Sequence, residues 1–570
     1  MTDQDKVEAA GLRRLSHQQS AKLGEVQDLA HQPGHDLQKR LETRHVTMIA
    51  LGGALGTGLM IGTYVSRSYV QVGSALVKTG PAGILLDYSI IGCIVFLVMA
   101  ALGEIISYMP LSHGFGGYAT RFVDPALGFA TGYCYFFKYL LATPNQLSAF
   151  GLIMKFWVGD RINPAVFITI VLVLILVINS VSVKAFGEFE FWLSSLKVLI
   201  MVGIIILLFI LAVGGGPTGD RPGFRYWSEP GAFAEYKVEG AKGRLLGLWS
   251  AMVAAVYAFS GTELVGVTVG EAKNPRLCMP KAVRLTFLRI LFFYVISVFL
   301  LGLVVPYNSQ ELVFAAGAKT SAAASPFVVA IKIARIKGLD HVINACLAVF
   351  VFSAANSDIY ISSRTLYGIA VDGKAPRIFT RTTKAGVPFV SLALCAAFCG
   401  LAYMSVSSSA ATVFNSLTSL VTVFGLLTWI SILVSHICFC RARKIQHIDL
   451  AYIPYRAPFG VCGSLVALTF LVFLILTKGI EVFIGTFDYK GFIVQYIGIP
   501  IYLGLILGYK IATKSRRVRA EAADLVTGVP EETVAEERAA VEAAAMEKEA
   551  AMTGRGTLAK IYRRGFSWLF

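Results

Sequence analysis

Six ionisable side chains, Glu104, Lys138, Glu190, Lys197, Glu263 and Asp358, stand inside stretches otherwise apolar enough for hydrocarbon. A charge at membrane depth is costly, so each is a candidate for pairing, for holding a ligand or for carrying protons. Glu104 and Glu263 are the candidate proton carriers, being acids that can hold or release a proton where bulk water is absent. No HExxH, GxSxG or phosphate-cradling glycine loop accompanies them, so the residue types offer no hydrolytic or nucleotide chemistry. The nine cysteines have no CxxC spacing, which leaves no disulfide framework or metal site to expect. Cys395 and Cys399 share a helix face, and small buried residues account for them better than ligands do. The chain reads as non-enzymatic and needing no cofactor.

Lys138 and Asn145 lie seven residues apart on one helix face, with Pro144 expected to break the helix between Asn145 and the lysine's turn. Two readings of Lys138 stay open, a role toward substrate or relay and an ammonium that snorkels to the interface. Further along, Ser353, Asn356, Ser357, Tyr360, Ser363, Arg364 and Tyr367 form a polar stripe at helical spacing, of which Ser353 and Asn356 lie deeper. Lys197 lies two turns from Glu190, either as a buried structural ion with its partner or as a coupling site.

The elements that must position these residues cross a bilayer. With 56% hydrophobic and 15% charged residues, 570 residues cannot form a soluble protein with an ordinary surface. Apolar runs long enough to span roughly 30 Å of hydrocarbon fall near 46–66, 83–109, 126–156, 163–183, 191–213, 246–270, 284–306, 341–363, 387–406, 412–438, 459–477 and 492–513. That predicts an all-α integral membrane protein of about twelve helices. Lys273, Arg276, Lys281 and Arg284, then Arg364, Lys374, Arg377, Arg381 and Lys384, then Arg441, Arg443 and Lys444 make every second loop basic. This places both termini in the cytoplasm, and it turns the net charge of +16 away from nucleic acid and toward the inner membrane face. Residues 1–44 read as a cytoplasmic tail, 45–513 as the transmembrane domain and 514–570 as a second tail. The last residues, KIYRRGFSWLF, either lie on the anionic leaflet or fray.

Residues 52–62, GGALGTGLMIG, carry five glycines in a segment that must cross lipid, and VYAFSGTELVGVTVG at 256–270 repeats the pattern five spans later. Small-xxx-small packing accounts for one such segment. Two at corresponding positions favour unwound transporter helices, which membranes tolerate only where they line a cavity.

These residues resemble the amino acid–polyamine–organocation superfamily, and within it the fungal amino-acid permeases, from about Arg44 to Lys514. The markers are GGALGTGL, GEFEFWLSSLKV at 187–198, FSGTEL at 259–264 with EAKNPR at 271–276, and FSAANSDIYISSRTLYGIAVDGKAP at 352–376. The resemblance implies a plasma-membrane, proton-driven importer of L-amino acids, built as two inverted repeats of five helices plus two, with helices one and six broken. ATGYCYFFKYLLATPNQLSA at 130–149 and GFRYWSEPGAF at 223–233 resemble the dicarboxylic branch, which carries glutamate and aspartate. Relatives for neutral and basic amino acids usually have a glutamate where this chain has Gln146, and a Trp-Asn pair near Tyr133 and Cys134. Replacing an anion by an amide beside Lys138 makes the site less hostile to a second carboxylate.

By that resemblance, N–H groups at Gly56, Thr57 and Gly58 hold the substrate α-carboxylate, and carbonyls at Ala258, Phe259 and Ser260 hold its ammonium. Phe259 closes over the substrate as a gate, Lys138 and Gln146 read its side chain with Asn356 as a further contact, and Lys197 stands where related transporters bind sodium. Such tails also carry lysines for the ubiquitination machinery, here Lys6 and Lys22. Alternatives are a broad or neutral permease and an amino-acid receptor that signals with little transport.

Overall fold

A computed structural model describes residues 57–60, 72–111, 114–159, 161–268, 275–309, 325–407, 410–448 and 452–527, with a few isolated positions besides. The described residues fold into helices and connecting turns only. In chain order these are α1 (Thr57–Met60), α2 (Val72–Tyr108), α3 (Gly114–Phe122), α4 (Pro125–Val158), α5 (Pro164–Val181), α6 (Val183–Ala212) and α7 (Ala241–Phe259). Then follow α8 (Leu264–Thr268), α9 (Pro275–Arg289), α10 (Ser297–Val304), α11 (Pro326–Ile333) and α12 (Leu339–Val371). The last are α13 (Phe389–Phe398), α14 (Met404–Ser407), α15 (Ala410–Ile445), α16 (Gly460–Thr477), α17 (Tyr489–Tyr496) and α18 (Gly498–Thr513). A π-helical turn, Ile290–Ile296, joins α9 to α10.

Among the described residues nine helices are long and apolar enough to cross a membrane, or ten with α17 and α18 taken as one span bent by 45°. Most of the first expected span, 46–66, lies outside the described residues. The outer helices present apolar side chains to their surroundings: Val166, Ile170, Val173, Leu174 and Val177 on α5, and Leu503, Leu507 and Ile511 on α18 are all exposed. Such stripes are stable against lipid and not against water.

The core helix is α4, which packs most extensively on α12 and α15. At about 1.5 Å per residue its 34 residues reach across a bilayer, although Lys138, Thr143, Asn145 and Gln146 dilute its apolarity. Asp124 caps it by accepting from Ala126 N–H at 2.8 Å, Pro125 occupies the first turn, and Gly159 at φ 59° ends it. Pro144 does not break it, contrary to the sequence expectation. α2 kinks at Gly80 (φ 77°), and Pro81 opens its long straight part.

The expected interruption of span six is present. α7 ends at Phe259, the chain turns through Ser260–Glu263 with Gly261 at φ 97°, and α8 resumes at Leu264. Only glycine takes that backbone conformation without cost.

Candidate functional site

The break in span six and α1 face each other at close range. A Cβ on Gly58 would lie 2.5 Å from Ala258 Cα and 2.9 Å from Ala258 N, so the two backbones touch only because residue 58 has no side chain. Beside this contact opens a small cavity, partly open to its surroundings. Gly58 lines it from α1, Lys138, Tyr139, Ala142 and Gln146 from α4, and Tyr257, Ala258, Ser260, Gly261 and Leu264 from the broken helix. Ala354 and Asp358 of α12 and Val421 of α15 complete the wall.

Its charges are organised around Glu263. One carboxylate oxygen is ion-paired with Lys138 and accepts from Tyr139 OH at 3.2 Å. The other accepts from Trp429 Nε1 at 3.1 Å and Gly261 N–H at 3.2 Å. The Lys138 ammonium also lies 4.9 Å from the centre of the Tyr139 ring. At 1% exposure Lys138 does not snorkel to an interface. Gln146 Nε2 donates to Asp358 Oδ2 at 3.2 Å. Two buried polar atoms on the cavity wall, Gln146 Oε1 and Ser260 Oγ, have no hydrogen-bond partner among the described residues. Unpartnered buried atoms of this kind mark a place for a polar ligand.

The structure brings Gly58, Lys138, Gln146, Ala258 and Ser260 together at this cavity. Gly56 lies outside the described residues, and Thr57 is helical. Two of the three carbonyls expected to be bare already accept bonds: Ala258 O from Tyr294 OH at 3.1 Å, and Phe259 O from Thr262 N–H at 3.2 Å. The Phe259 ring does not line the cavity. It is fully buried, stacked 4.4 Å from Tyr294 and tilted against Tyr88 at 5.9 Å, while Tyr257 is the neighbouring aromatic residue that lines the cavity.

Asn356, Lys197 and Glu104 are also placed elsewhere. Asn356 Oδ1 accepts from Asn179 Nδ2 at 2.9 Å, on the side of α12 that meets α5. Lys197 is wholly buried and pairs at 3.4 Å with Glu190, which accepts from Ser353 Oγ at 2.8 Å. Glu104 accepts from Arg443 Nη1 at 2.6 Å, lies 3.2 Å from His436 Nε2, and accepts from Ala457 N–H at 2.8 Å. Glu104, His436 and Cys440 could together approach a metal ion, but the guanidinium on the same carboxylate opposes a second cation there.

Sequence reasoning gives no role to Tyr139, Tyr257 or Trp429, and names Asp358 only among the six charges at membrane depth, with no specific task. Asp358 had a signal, a carboxylate in span eight. Asn356 was preferred, although two residues along a helix turn through about 200°, which puts the pair on opposite sides. Ala354, four residues before Asp358, shares its face and lines the same cavity.

Comparison with known proteins agrees with this architecture. The amino acid permease family model matches residues 45–521. The chain is 50% identical over 495 residues to the dicarboxylic amino acid permease of Saccharomyces cerevisiae, covering 86% of this chain and 80% of that one. It is 45% identical over 498 residues to an uncharacterised amino-acid permease of Schizosaccharomyces pombe, covering 87% and 93%. It is also 38% identical over 484 residues to the proline-specific permease of Emericella nidulans, covering 84% and 86%.

Proposed function

The chain belongs to the amino acid permease family, and we propose that it imports amino acids across the plasma membrane with protons, acidic ones in preference. The observation that carries the proposal is the pairing of Lys138 and Gln146 on one wall of the cavity with the interrupted backbone at Gly58 and Ser260 on the other. The main-chain end of the substrate binds at the interruptions: N–H groups near Gly58 take the α-carboxylate and the Ser260 carbonyl takes the ammonium. The side chain then points to Lys138 and Gln146. An ammonium has three donors, so Lys138 can keep its bond to Glu263 and still meet a substrate carboxylate. Similarity to the yeast dicarboxylic amino acid permease supports the same preference.

Proton coupling follows from charge. Bringing a net anion such as glutamate into a cell that is negative inside costs about 2.3 kcal/mol per 100 mV, which one proton cancels and a second reverses. Lys197, paired at 3.4 Å with Glu190, supplies on this reading the charge that a sodium ion would otherwise bring. Ubiquitination of Lys6 and Lys22 in the N-terminal tail is proposed to remove the protein from the surface; both lie outside the described residues.

The test is uptake of radiolabelled glutamate, aspartate, alanine and arginine by a permease-deficient fungal cell expressing the chain. Acidic substrates should be taken up best, with loss under a protonophore and no change when choline replaces sodium. A preference for alanine or arginine overturns the acidic reading, and full uptake under the protonophore overturns proton coupling.

A further inference from the structure

Lys138 is paired with Glu263, and Lys197 with Glu190. Asp358 is the acid that lines the cavity, and among the described residues no cationic nitrogen lies within salt-bridge distance of it. Its polar contact among the described residues is the donation from Gln146 Nε2 to Oδ2 at 3.2 Å. It is 8% exposed. The charges that act on it are Lys138 on α4 and Glu190 and Lys197 on α6, with Glu263 held across the cavity by Lys138. An ionised carboxylate so placed is balanced by no partner of its own. An acidic substrate entering this cavity brings another carboxylate, and two carboxylates in one site do not both stay ionised.

We propose that Asp358 is the residue that takes up the coupled proton, and that its protonated carboxyl donates to the side-chain carboxylate of an acidic amino acid. This rests on the acidic reading given above and adds the site of the proton to it. The proton arrives from the outer solution on Asp358 Oδ1, the oxygen not engaged by Gln146. It is shared with the substrate carboxylate during crossing and leaves to the cytoplasm with the substrate. Nothing is oxidised and no covalent bond other than O–H changes. Gln146 suits both states of its neighbour. Its Nε2 can donate to Oδ2 both when Asp358 is ionised and when the proton sits on Oδ1, so proton uptake does not require the amide to turn over. The role is one of specificity as well as coupling, because alanine brings no second carboxylate and needs no shared proton at this position.

The experiment uses the full-length chain in proteoliposomes, with radiolabelled glutamate or alanine in two measurements. One is exchange without a gradient at a series of pH values, and the other is accumulation under an inward proton gradient. Wild-type exchange of glutamate should fall as pH rises, and accumulation should follow the gradient, up to about tenfold per pH unit for one proton. Asp358→Asn, which holds a permanent N–H donor, should retain reduced glutamate exchange with a flat pH profile and lose accumulation, its concentration ratio falling to about one. Asp358→Glu keeps an acid and should keep accumulation, which guards against a folding defect being read as uncoupling. Gradient-driven accumulation by Asp358→Asn overturns the proposal. So does loss of glutamate and alanine exchange alike in both variants, which would assign Asp358 to the ammonium or to the fold. A wild-type protein that exchanges alanine and not glutamate overturns the acidic reading itself, and is told apart because it needs no variant.

Discussion

Replacing Lys138 by methionine keeps most of the length of the side chain and removes its charge, and the structure assigns that change two separable consequences. The first is structural. Glu263 stays buried without its ion partner, and removing one member of a buried pair destabilises by about 3–5 kcal/mol. Three donors remain on the carboxylate, from Tyr139 at 3.2 Å, Trp429 at 3.1 Å and Gly261 at 3.2 Å. These hold the expected loss near the lower end, about 3 kcal/mol, and it falls on all substrates together. The second consequence is selective. Loss of a charged contact to the substrate's second carboxylate should lower glutamate transport tenfold or more beyond alanine, roughly 1.4 kcal/mol.

The double variant Lys138→Met with Glu263→Gln separates the two. A neutral amide no longer leaves a charge stranded, so thermal stability in detergent and alanine uptake should recover. The cycle should return a coupling energy of about 2 kcal/mol or more. The glutamate-to-alanine ratio should stay low. Recovery of glutamate along with alanine would show that Lys138 serves only its ion pair. A single variant that melts with the wild type would refute the buried-pair argument.

Three further outcomes follow from particular contacts. Gly58→Ala places a Cβ 2.5 Å from Ala258 Cα, so it should cost about 1–3 kcal/mol of overpacking and lower surface expression and every substrate together, and a variant that expresses and transports as the wild type would refute the close approach. Trp429→Phe removes the donor 3.1 Å from Glu263 and should lower stability by about 1.5–3 kcal/mol, measured by thermal unfolding, and an unchanged melting point would exclude that bond. At the start of α4, Asp124 accepts from Lys510 at 2.9 Å and Ser515 at 3.1 Å, fastening the segment after α18, whose Val518 N–H also donates to Val123 O at 2.9 Å. Burial works to raise the Asp124 carboxyl, but the bonds from Lys510, Ala126 N–H and Ser515 outweigh it and hold it below the ordinary 3.8. A depressed carboxylate contributes stability above its unfolded value and loses it as pH falls through the folded one. Trypsin cleavage at Arg516 and Arg517 should therefore stay slow at every pH above that range and speed up in Asp124→Ala at neutral pH, and equal rates in the variant and wild type would count against the clasp.

The membrane class and the break in span six were legible because each is one-dimensional. A run of apolar residues has a length, and glycines that interrupt it have a position. The side-chain assignments needed a rotation angle and a partner, which a single chain does not carry. The stripe around Asn356 was read as one polar surface, yet α12 meets α5 at Asn356 and the cavity at Asp358, two residues apart. The resemblance implies a gating role for Phe259, but its ring packs against Tyr294 and Tyr88 and Tyr257 lines the cavity. Lys138 and Glu263 are 125 residues apart, and no local pattern connects them. Their pairing decides what the site can do, because an ammonium that already neutralises one carboxylate cannot alone neutralise a substrate's second one. On the proposed reading the remaining charge is handled by Asp358 and a proton, and recognition of an acidic side chain and proton coupling are then one electrostatic event in this cavity.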